Sequence, residues 1–201
     1  MKDTYVYELN GNLYVNLTNR CSNDCKFCVR NGKESYYGHK LWLNKEPTAA
    51  QVIDLIDGKK CNEVVFCGFG EPTFRLKELL QIASNLKEKG YKIRLNTNGQ
   101  GNLINGEDIT LKLKGCIDKV NVSLNAPDAD EYFIVCRPVF GEDAFAELID
   151  FAQKCRDNGI ETNFSVVDCI GEKKVAKCKK LAKEVGITLK VREMIEDSDA
   201  T

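Results

Sequence analysis

The sequence predicts an α/β fold in which parallel strands form a partial, TIM-like (β/α)6 barrel. Two observations point to this class: apolar, β-branched runs recur along the chain, and amphipathic helical segments separate them. A third observation concerns function. Polar and glycine-rich segments follow the C-terminal ends of the runs, and this is the rim at which α/β barrels bind their ligands.

Each predicted strand is apolar and β-branched in its body and polar at its C-terminal end. The first is preceded by the Asn10-Gly11 pair, which is typical of a two-residue hairpin turn. Residues 1–11 are therefore predicted to add an N-terminal strand extension. The six strands are predicted at 12–18, 63–70, 91–99, 118–126, 161–169 and 187–195.

The helical segments between these strands end at a glycine just beyond the last turn, where a left-handed residue is common. Thr48 and Gln51 have the spacing of a capping box and predict the start of a helix. Further helices are predicted at 75–89 before Gly90, at 142–158 before Gly159, at 172–185 before Gly186 and, from a weaker pattern, at 105–114.

Alternation of strands and helices at this spacing predicts parallel strands joined by right-handed crossovers. Six units are too few to close an eight-stranded barrel, so an open partial barrel is favoured, with a doubly wound open sheet as the alternative. Both architectures bind ligands at the C-terminal ends of their strands. We expect a single domain over residues 1–201, with 196–201 as a frayed tail.

Composition narrows the class of protein. Of 201 residues, 43% are hydrophobic and 29% charged, as in soluble globular domains. Lys and Arg (29) nearly balance Asp and Glu (30), so nothing in the net charge indicates capture of nucleic acid or an anionic membrane. The basic run at 173–180 is typical of the solvated face of a helix. No signal peptide or spanning segment is recognisable, and we expect a cytoplasmic protein.

The cysteines carry the strongest chemical signal. In a reducing compartment, ten cysteines indicate thiols, ligands or redox groups, whereas five disulfides would require an extracytoplasmic protein. Cys21, Cys25 and Cys28 follow the first predicted strand with the spacing C-x3-C-x2-C. A four-iron cluster normally takes one thiolate per iron, so three thiolates would leave one iron open to an outside ligand. Such an open position is what catalytic metal centres keep.

The triad, with Phe27 before its last cysteine, resembles the signature of the radical S-adenosylmethionine (SAM) superfamily. The segment GFGEP (68–72) is similar to the Gly-Gly-Glu-Pro segment of that superfamily, and NTNG (96–99) and SLNA (123–126) lie where it holds the rest of the cofactor. The resemblance extends over residues 12–195. More narrowly, LYVNLTNRCSNDCKFCVR, LWLNKEPT, VVFCGFGEPT and RLNTNG are similar to small radical proteins named for their association with TatD-family nucleases.

The resemblance implies a [4Fe–4S] cluster on Cys21, Cys25 and Cys28, with SAM chelating the fourth iron. Reductive cleavage of SAM would then give a 5′-deoxyadenosyl radical that abstracts hydrogen from an unidentified substrate. It also implies a one-electron donor such as flavodoxin or ferredoxin, and a functional link to a TatD-family nuclease. The residues implied to contact SAM are Phe27, Gly68, Phe69, Gly70, Glu71, Asn96, Asn98, Ser123, Asn125 and Ile195.

Alternatives to this interpretation remain at the level of the sequence. The protein could be a glycyl-radical-enzyme activase or resemble 7-carboxy-7-deazaguanine synthase, or be a non-catalytic iron–sulfur or zinc sensor. His39, the single histidine, could complete a zinc site. Asn19 and Arg20 could tune a cluster through outer contacts. Arg137 could bind an anion or form a salt bridge.

Two further regions are open to more than one interpretation. Cys116, Cys136 and Cys169 could form a second cluster, although they lack close spacing, and most of the other cysteines suit an apolar core. The segment 29–45 is aromatic, with Tyr36, Tyr37 and Trp42. It could close the mouth of the barrel or simply pack against its rim.

Overall fold

The structure, a computed structural model that describes residues 2–194, is built around one large sheet. The strands are β1 (Val6–Leu9), β2 (Asn12–Val15), β3 (Ser35–Tyr36), β4 (His39–Lys40), β5 (Val64–Phe66), β6 (Ile93–Thr97), β7 (Lys119–Ser123), β8 (Glu161–Val167) and β9 (Thr188–Arg192). Seven of them form a sheet in the order β1-β2-β5-β6-β7-β8-β9, and β3 and β4 form a separate hairpin.

The pairing confirms the predicted α/β fold. From β2 to β9 every neighbouring pair in the large sheet is parallel, and its order follows the chain. Strand β1 is antiparallel to β2 across the predicted turn, in which Asn10 and Gly11 have φ angles of 51° and 72°. Two successive positive φ angles are typical of a type I′ hairpin turn. The sheet is open, because β1 and β9 are its edges.

Helices connect the parallel strands. They are α1 (Ala49–Ile56), α2 (Leu76–Glu88), α3 (Gly101–Asn105), α4 (Thr110–Leu113), α5 (Ala129–Cys136), α6 (Asp143–Asp157) and α7 (Glu172–Val185), with short 3₁₀ turns at Pro72–Arg75 and Asp168–Ile170. The predicted capping box is present, since Thr48 accepts from Gln51 and the Gln51 side chain accepts from the Thr48 backbone. Helix α7 ends at Gly186, which has the predicted left-handed conformation.

Three features differ from the prediction. The helix expected at 105–114 is wrong as one element, because the left-handed Gly106 separates α3 from α4. Helix α5 was not predicted; its hydrophobic residues do not form one clear stripe, and Phe133 and Ile134 are exposed. The hairpin β3–β4 was not predicted either, because each of its strands has only two residues.

The core lies between the sheet and the helices. Leu95, Val120 and Phe164 of the central strands pack with Leu79 and Phe151 of α2 and α6. On β2, Leu13 and Val15 belong to this core. Because successive side chains of a strand point to opposite faces of the sheet, Tyr14 points to the face away from the core. There it joins a smaller apolar cluster, formed with Tyr7, Tyr36, Leu41 and Phe69. No helix within residues 2–194 is long and apolar enough to span a bilayer.

Candidate cofactor site at the carboxyl end of the sheet

A cavity of about 410 Å³ opens at the C-terminal ends of the parallel strands. Eleven of the thirteen residues proposed for the cluster and cofactor line it. They are Cys21, Cys25, Phe27, Cys28, Gly68, Gly70, Glu71, Asn96, Asn98, Ser123 and Asn125. Phe69 is not among the lining residues, and Ile195 lies outside the described part of the chain.

Several lining residues were not found from the sequence. Cys67 follows β5 directly, Val167 ends β8, and Arg192 ends β9. Their positions at strand ends could have indicated a role in the site. Cysteine, valine and arginine are, however, also common in cores or on surfaces, so the residue types alone did not point to it. The remaining lining residues not predicted as cofactor contacts are Asn23, Lys26, Val29, Asn31, Lys33, Tyr36, Thr97, Glu193 and Met194.

The face of the sheet below this cavity is polar. Asn96, Asn121 and Asn163 are neighbours in register on β6, β7 and β8, and Ser123 and Ser165 form a pair two residues further along. Because alternate residues of a strand share a face, these side chains point away from the helix-covered core. The barrel interior is therefore suited to a polar ligand.

The three thiols lie on the loop that follows β2. All three are partly exposed, and a turn brings Cys28 N to within 3.1 Å of Cys25 O. Among residues 2–194, no three His, Cys, Asp or Glu side chains converge as they would on a single metal ion. A cubane does not require such convergence, because each of its thiolates binds a different iron. Three thiols on one short loop facing one cavity fit the donor set of such a cluster.

The surroundings of all three thiols favour the protonated form. Burial raises the pKa of Cys21 to about 12, with a further contribution from the Glu71 carboxylate. The pKa of Cys25 is raised above its ordinary value, first by a hydrogen bond with the Cys136 thiol and then by burial. Burial also raises the pKa of Cys28. Since thiolates are the ligands, binding a cluster must release these protons.

Arg30 holds the thiol loop against its neighbours. Its guanidinium donates to the backbone oxygens of Asn19 at 2.9 Å and Asn23 at 3.2 Å, and approaches Phe69 O at 3.5 Å. The planar fork thus connects the residues on both sides of Cys21 to the glycine segment after β5. Arg30 was not singled out from the sequence.

Asn19 and Arg20 contact other parts of the protein than the thiols. The Asn19 amide exchanges two hydrogen bonds with the backbone of Leu43, at 2.8 and 2.9 Å. The Arg20 guanidinium lies 4.3 Å from the ring centre of Phe74. The hypothesis that these two side chains tune a cluster is therefore not supported. The described donors near Cys21 Sγ are Asn23 N at 3.5 Å and Asn98 Nδ2 at 4.0 Å.

A buried polar network fixes the first half of the thiol loop. Asn98 Nδ2 donates to Ser22 Oγ at 2.8 Å, which joins the end of β6 to the loop. Gln100 Nε2 donates to Asn23 Oδ1 at 2.8 Å and to the Tyr132 hydroxyl at 3.0 Å. Asn98 is thus held by protein contacts through its amide nitrogen. A buried network of this kind specifies one arrangement of the loop.

The glycines of GFGEP are required by close packing. A Cβ on Gly68 would lie 2.1 Å from Asn16 Oδ1, and one on Gly70 would lie 2.3 Å from Thr18 O. These contacts are with the end of β2 and the start of the thiol loop. The side chain of Phe69 is buried in the smaller cluster with Tyr7, so a large residue between the two glycines leaves the cavity free.

Glu71 is buried and heavily hydrogen-bonded. Its Oε1 accepts from the backbone and hydroxyl of Thr73 and from the hydroxyl of Thr97, and its Oε2 accepts from Asn98 N at 2.7 Å. Burial raises its pKa and these four bonds oppose that rise. The carboxylate therefore fixes the ends of β5 and β6, and Oε2, with one donor in the described structure, can accept a further hydrogen bond.

Two amides of the cavity have oxygens without a partner in the described structure. They are Oδ1 of Asn96 and Oδ1 of Asn125. Asn125 is only 5% exposed and has a φ angle of 55°, so its position is fixed by an uncommon backbone conformation. Buried polar atoms normally have partners, and these two oxygens are therefore available to a bound ligand.

The remaining candidates lie elsewhere. His39 packs 5.2 Å from the Tyr7 ring and does not line the cavity. In the aromatic segment Tyr36 is buried against the rim, whereas Tyr37 and Trp42 are exposed. Arg137 forms an exposed salt bridge with Asp24. Cys116, Cys136 and Cys169 are not brought together in the described chain: Cys116 bonds Leu113 O, Cys136 contacts Cys25, and Cys169 is exposed.

A second, larger depression of about 670 Å³ lies away from these residues. It is a shallow surface between the loops that precede β5 and β6, at the N-terminal end of the sheet. Its lining includes Lys59, Lys60, Lys89 and Lys92, but none of the residues proposed for the cofactor. We place the site in the smaller cavity because its chemistry and its position at the strand C-termini agree.

Comparisons with known proteins define the family. The model of the radical SAM superfamily matches residues 15–188. A probable GTP 3′,8-cyclase of Saccharolobus islandicus is 33% identical over 181 residues, a match that covers 87% of this chain and 54% of the relative. The chain thus spans about half the length of that relative.

Solved structures agree on the fold. A radical SAM methyltransferase from Sphaerobacter thermophilus superposes with a TM-score of 0.66 at 16% identity, covering 97% of this chain and 71% of the other. SuiB of Streptococcus suis, bound to SAM, gives a TM-score of 0.65 at 18% identity, covering 92% and 38%. At such low sequence identity, these structural similarities support the fold alone.

The fold and site together define a partial α/β barrel enzyme with a three-thiol loop at its rim. The chain belongs to the radical SAM superfamily. Membership implies a [4Fe–4S] cluster and SAM as its cofactors.

Proposed function

We propose that Cys21, Cys25 and Cys28 hold the cluster and that the protein uses it to cleave SAM reductively. Held by these thiolates, such a cluster would supply the electron for reductive cleavage of SAM and so the 5′-deoxyadenosyl group needed to take hydrogen from a substrate. The observation that carries this proposal is that the thiol loop, the glycine segment and two unpartnered amide oxygens share one cavity.

The residues around the thiols would position the cofactor. Backbone groups of 68–71 would receive the ammonium group, with Oε2 of Glu71 as an available acceptor. Asn96, Ser123 and Asn125 would bind the ribose or carboxylate through their short polar side chains. Phe27 lines the cavity and would pack against the adenine, and Ile195 would do so from beyond the described residues.

The test is anaerobic reconstitution followed by reduction with dithionite in the presence of SAM. We expect about four irons per chain, as for one cubane, and release of 5′-deoxyadenosine measured by mass spectrometry. Cys25→Ala should abolish cleavage, and Cys155→Ala, which changes a buried cysteine of α6 outside the cavity, should not. Zinc in place of iron, or a cluster that never cleaves SAM, would contradict the proposal and favour a sensor.

A second candidate concerns the substrate. The sequence identity of 33% to a protein named as a probable GTP 3′,8-cyclase favours a reaction on GTP. The match covers 87% of this chain and 54% of the first of those relatives. Adding GTP to the reconstituted protein should then increase 5′-deoxyadenosine release and consume GTP. If GTP is recovered intact and the rate is unchanged, the substrate belongs to another class.

We also propose that the chain belongs with the TatD-associated proteins and acts in the cytoplasm with flavodoxin or ferredoxin as its reductant. Four segments of the sequence, around the thiol triad, Trp42, Glu71 and Asn96, support this narrower grouping. It names a functional neighbour and no substrate. Mixing the reconstituted protein with a purified TatD-family nuclease should change the rate of one of the two enzymes. Unchanged rates for both would remove support for the link.

A further inference from the structure

A fourth cysteine lies directly behind the thiol loop. Cys136 is the last residue of α5 and is fully buried, whereas Cys25 lines the cavity. The Cys25 side chain packs against the core cluster to which Cys136 belongs. The residues are 111 positions apart, as their numbers show, and no motif spacing connects them.

The backbone fixes this contact. Asp24 N donates to Cys136 O at 3.0 Å, and Lys26 N donates to Val135 O at 2.9 Å. The last carbonyl groups of a helix have no hydrogen-bond donor within the helix, and here backbone N–H groups of the thiol loop donate to two of them. The two donors flank Cys25, so its position relative to the end of α5 is set from both sides.

Two further contacts join the segment that follows α5 to the thiol loop. Val139 N donates to Ser22 O at 2.9 Å, and Arg137, in a left-handed conformation, forms a salt bridge with Asp24. The exposed salt bridge contributes little to stability. The three backbone bonds make the segment 135–139 a support for the loop. The Cys136 thiol is therefore held beside Cys25 and cannot turn to solvent.

We propose that Cys136 is a positioning residue that donates an S–H···S hydrogen bond to the Cys25 sulfur when Cys25 is a cluster ligand. This inference rests on the proposed function, because it takes Cys25 as a ligand. A ligating thiolate has no proton and can only accept, so the buried Cys136 thiol must be the donor. Hydrogen bonds to cluster sulfurs favour the reduced, more negative state and raise the reduction potential.

The first test is a redox titration of reconstituted protein followed by electron paramagnetic resonance. In Cys136→Ala, we expect the ratio of reduced to oxidised cluster at a fixed potential to fall about three- to tenfold, where tenfold corresponds to about 59 mV. Cys136→Ser keeps a donor and should recover most of the shift. The matched control is Cys155→Ala, which removes a fully buried helical cysteine outside the cavity and should leave the potential unchanged.

A second test uses the cluster-free protein and does not depend on iron. Diamide takes two electrons and two protons from a pair of adjacent thiols, giving one disulfide and a hydrazine. We expect a Cys25–Cys136 disulfide in peptide maps of the oxidised protein, and none in Cys136→Ser. Oxidation that joins Cys25 only to Cys21 or Cys28 would overturn the contact.

The outcomes separate the two proposals. Suppose that the wild-type protein binds iron. If the reduction potential of Cys136→Ala then equals that of wild type, or if Cys155→Ala shifts it as much as Cys136→Ala does, the role of Cys136 is overturned and the proposed function stands. Wild-type protein that binds no iron would overturn both. A shift confined to Cys136→Ala, recovered by Ser, together with the disulfide, would support the inference.

Discussion

The hydroxyl of Tyr132 lies 2.9 Å from Asn23 Nδ2 and connects helix α5 to the loop of three cysteines. Gln100 Nε2 donates to the same hydroxyl and to Asn23 Oδ1, so three buried side chains form a closed set of bonds. Tyr132 is among the largest fully buried side chains. Helix α5, the residue preceding α3 and the thiol loop are thereby fixed to one another.

Tyr132→Phe should destabilise the cluster-free protein by about 1–3 kcal/mol, because it leaves two buried donors without their acceptor. The free energy of unfolding would be measured by urea titration. The matched control is Tyr91→Phe, whose hydroxyl donates to the backbone oxygens of Ile56 and Lys59 near the surface. We expect the control to cost less. Equal losses in the two variants would show that the network adds nothing beyond an ordinary tyrosine hydrogen bond.

Asn125→Gly should weaken binding of SAM to the reconstituted protein by about two- to tenfold, the effect of losing one hydrogen bond. Glycine is the informative replacement because Asn125 has a φ angle of 55°, which alanine would adopt only with strain. Isothermal titration calorimetry would measure the affinity. Iron content should be unchanged, since the amide is not a cluster ligand. An unchanged affinity would mean that the unpartnered oxygen does not face SAM.

Much of this architecture was predictable from local patterns. The strands were recognisable because each has a continuous apolar body, and the Asn10-Gly11 turn and the capping box at Thr48 follow from the chemistry of those residues. The thiol triad was visible because its three members lie within eight residues of sequence, from 21 to 28. Motifs of this kind depend on neighbours in the chain.

What escaped prediction depends on contacts between distant segments. Cys136 and Tyr132 support the thiol loop from more than 100 positions away, and α5 has no clear apolar stripe to reveal it. Arg30 acts through backbone oxygens, which carry no sequence signal. The requirement for glycine at 68 and 70 comes from the close approach of Asn16 and Thr18, which no local motif reveals. Only the three-dimensional packing identifies these roles.

Gly70→Ala should destabilise the protein by about 1–3 kcal/mol or more, the usual cost of overpacking. A methyl group there would lie 2.3 Å from Thr18 O and 2.6 Å from Arg20 O, and these backbone atoms cannot turn aside as a side chain can. The variant should also bind less iron, because the displaced residues adjoin Cys21. Urea unfolding and iron content would measure the two effects.

The control for this substitution is Gly58→Ala. Gly58 has a φ angle of 72°, and a methyl group on it would have no neighbouring atom within 4 Å. Alanine at this position would therefore cause backbone strain but no steric clash. It should cost about 1 kcal/mol and leave iron content unchanged. If Gly70→Ala costs no more than Gly58→Ala, the close approach at position 70 is relaxed in solution.

The pair of Arg75 and Glu78 should give the protein a measurable dependence of stability on pH. Arg75 Nε donates to Glu78 Oε2 at 3.1 Å, and this bond lowers the pKa of Glu78 below its ordinary value of 4.5. A carboxyl whose pKa is lower in the folded state stabilises the fold above its unfolded pKa. That contribution is lost as the pH falls through the folded-state pKa.

Glu78→Gln should therefore cost about 0.5–1 kcal/mol at pH 7, as for a well-formed pair near the surface. The difference from wild type should shrink as the pH is lowered from about 5 toward 3, because the wild-type carboxylate becomes protonated there. Urea titrations at each pH would measure it. Repeating the substitution in an Arg75→Gln background removes the partner, and the pH-dependent part of the difference should then largely disappear. A difference that is constant with pH, or that survives loss of Arg75, would assign the effect to packing of the side chain instead of its charge.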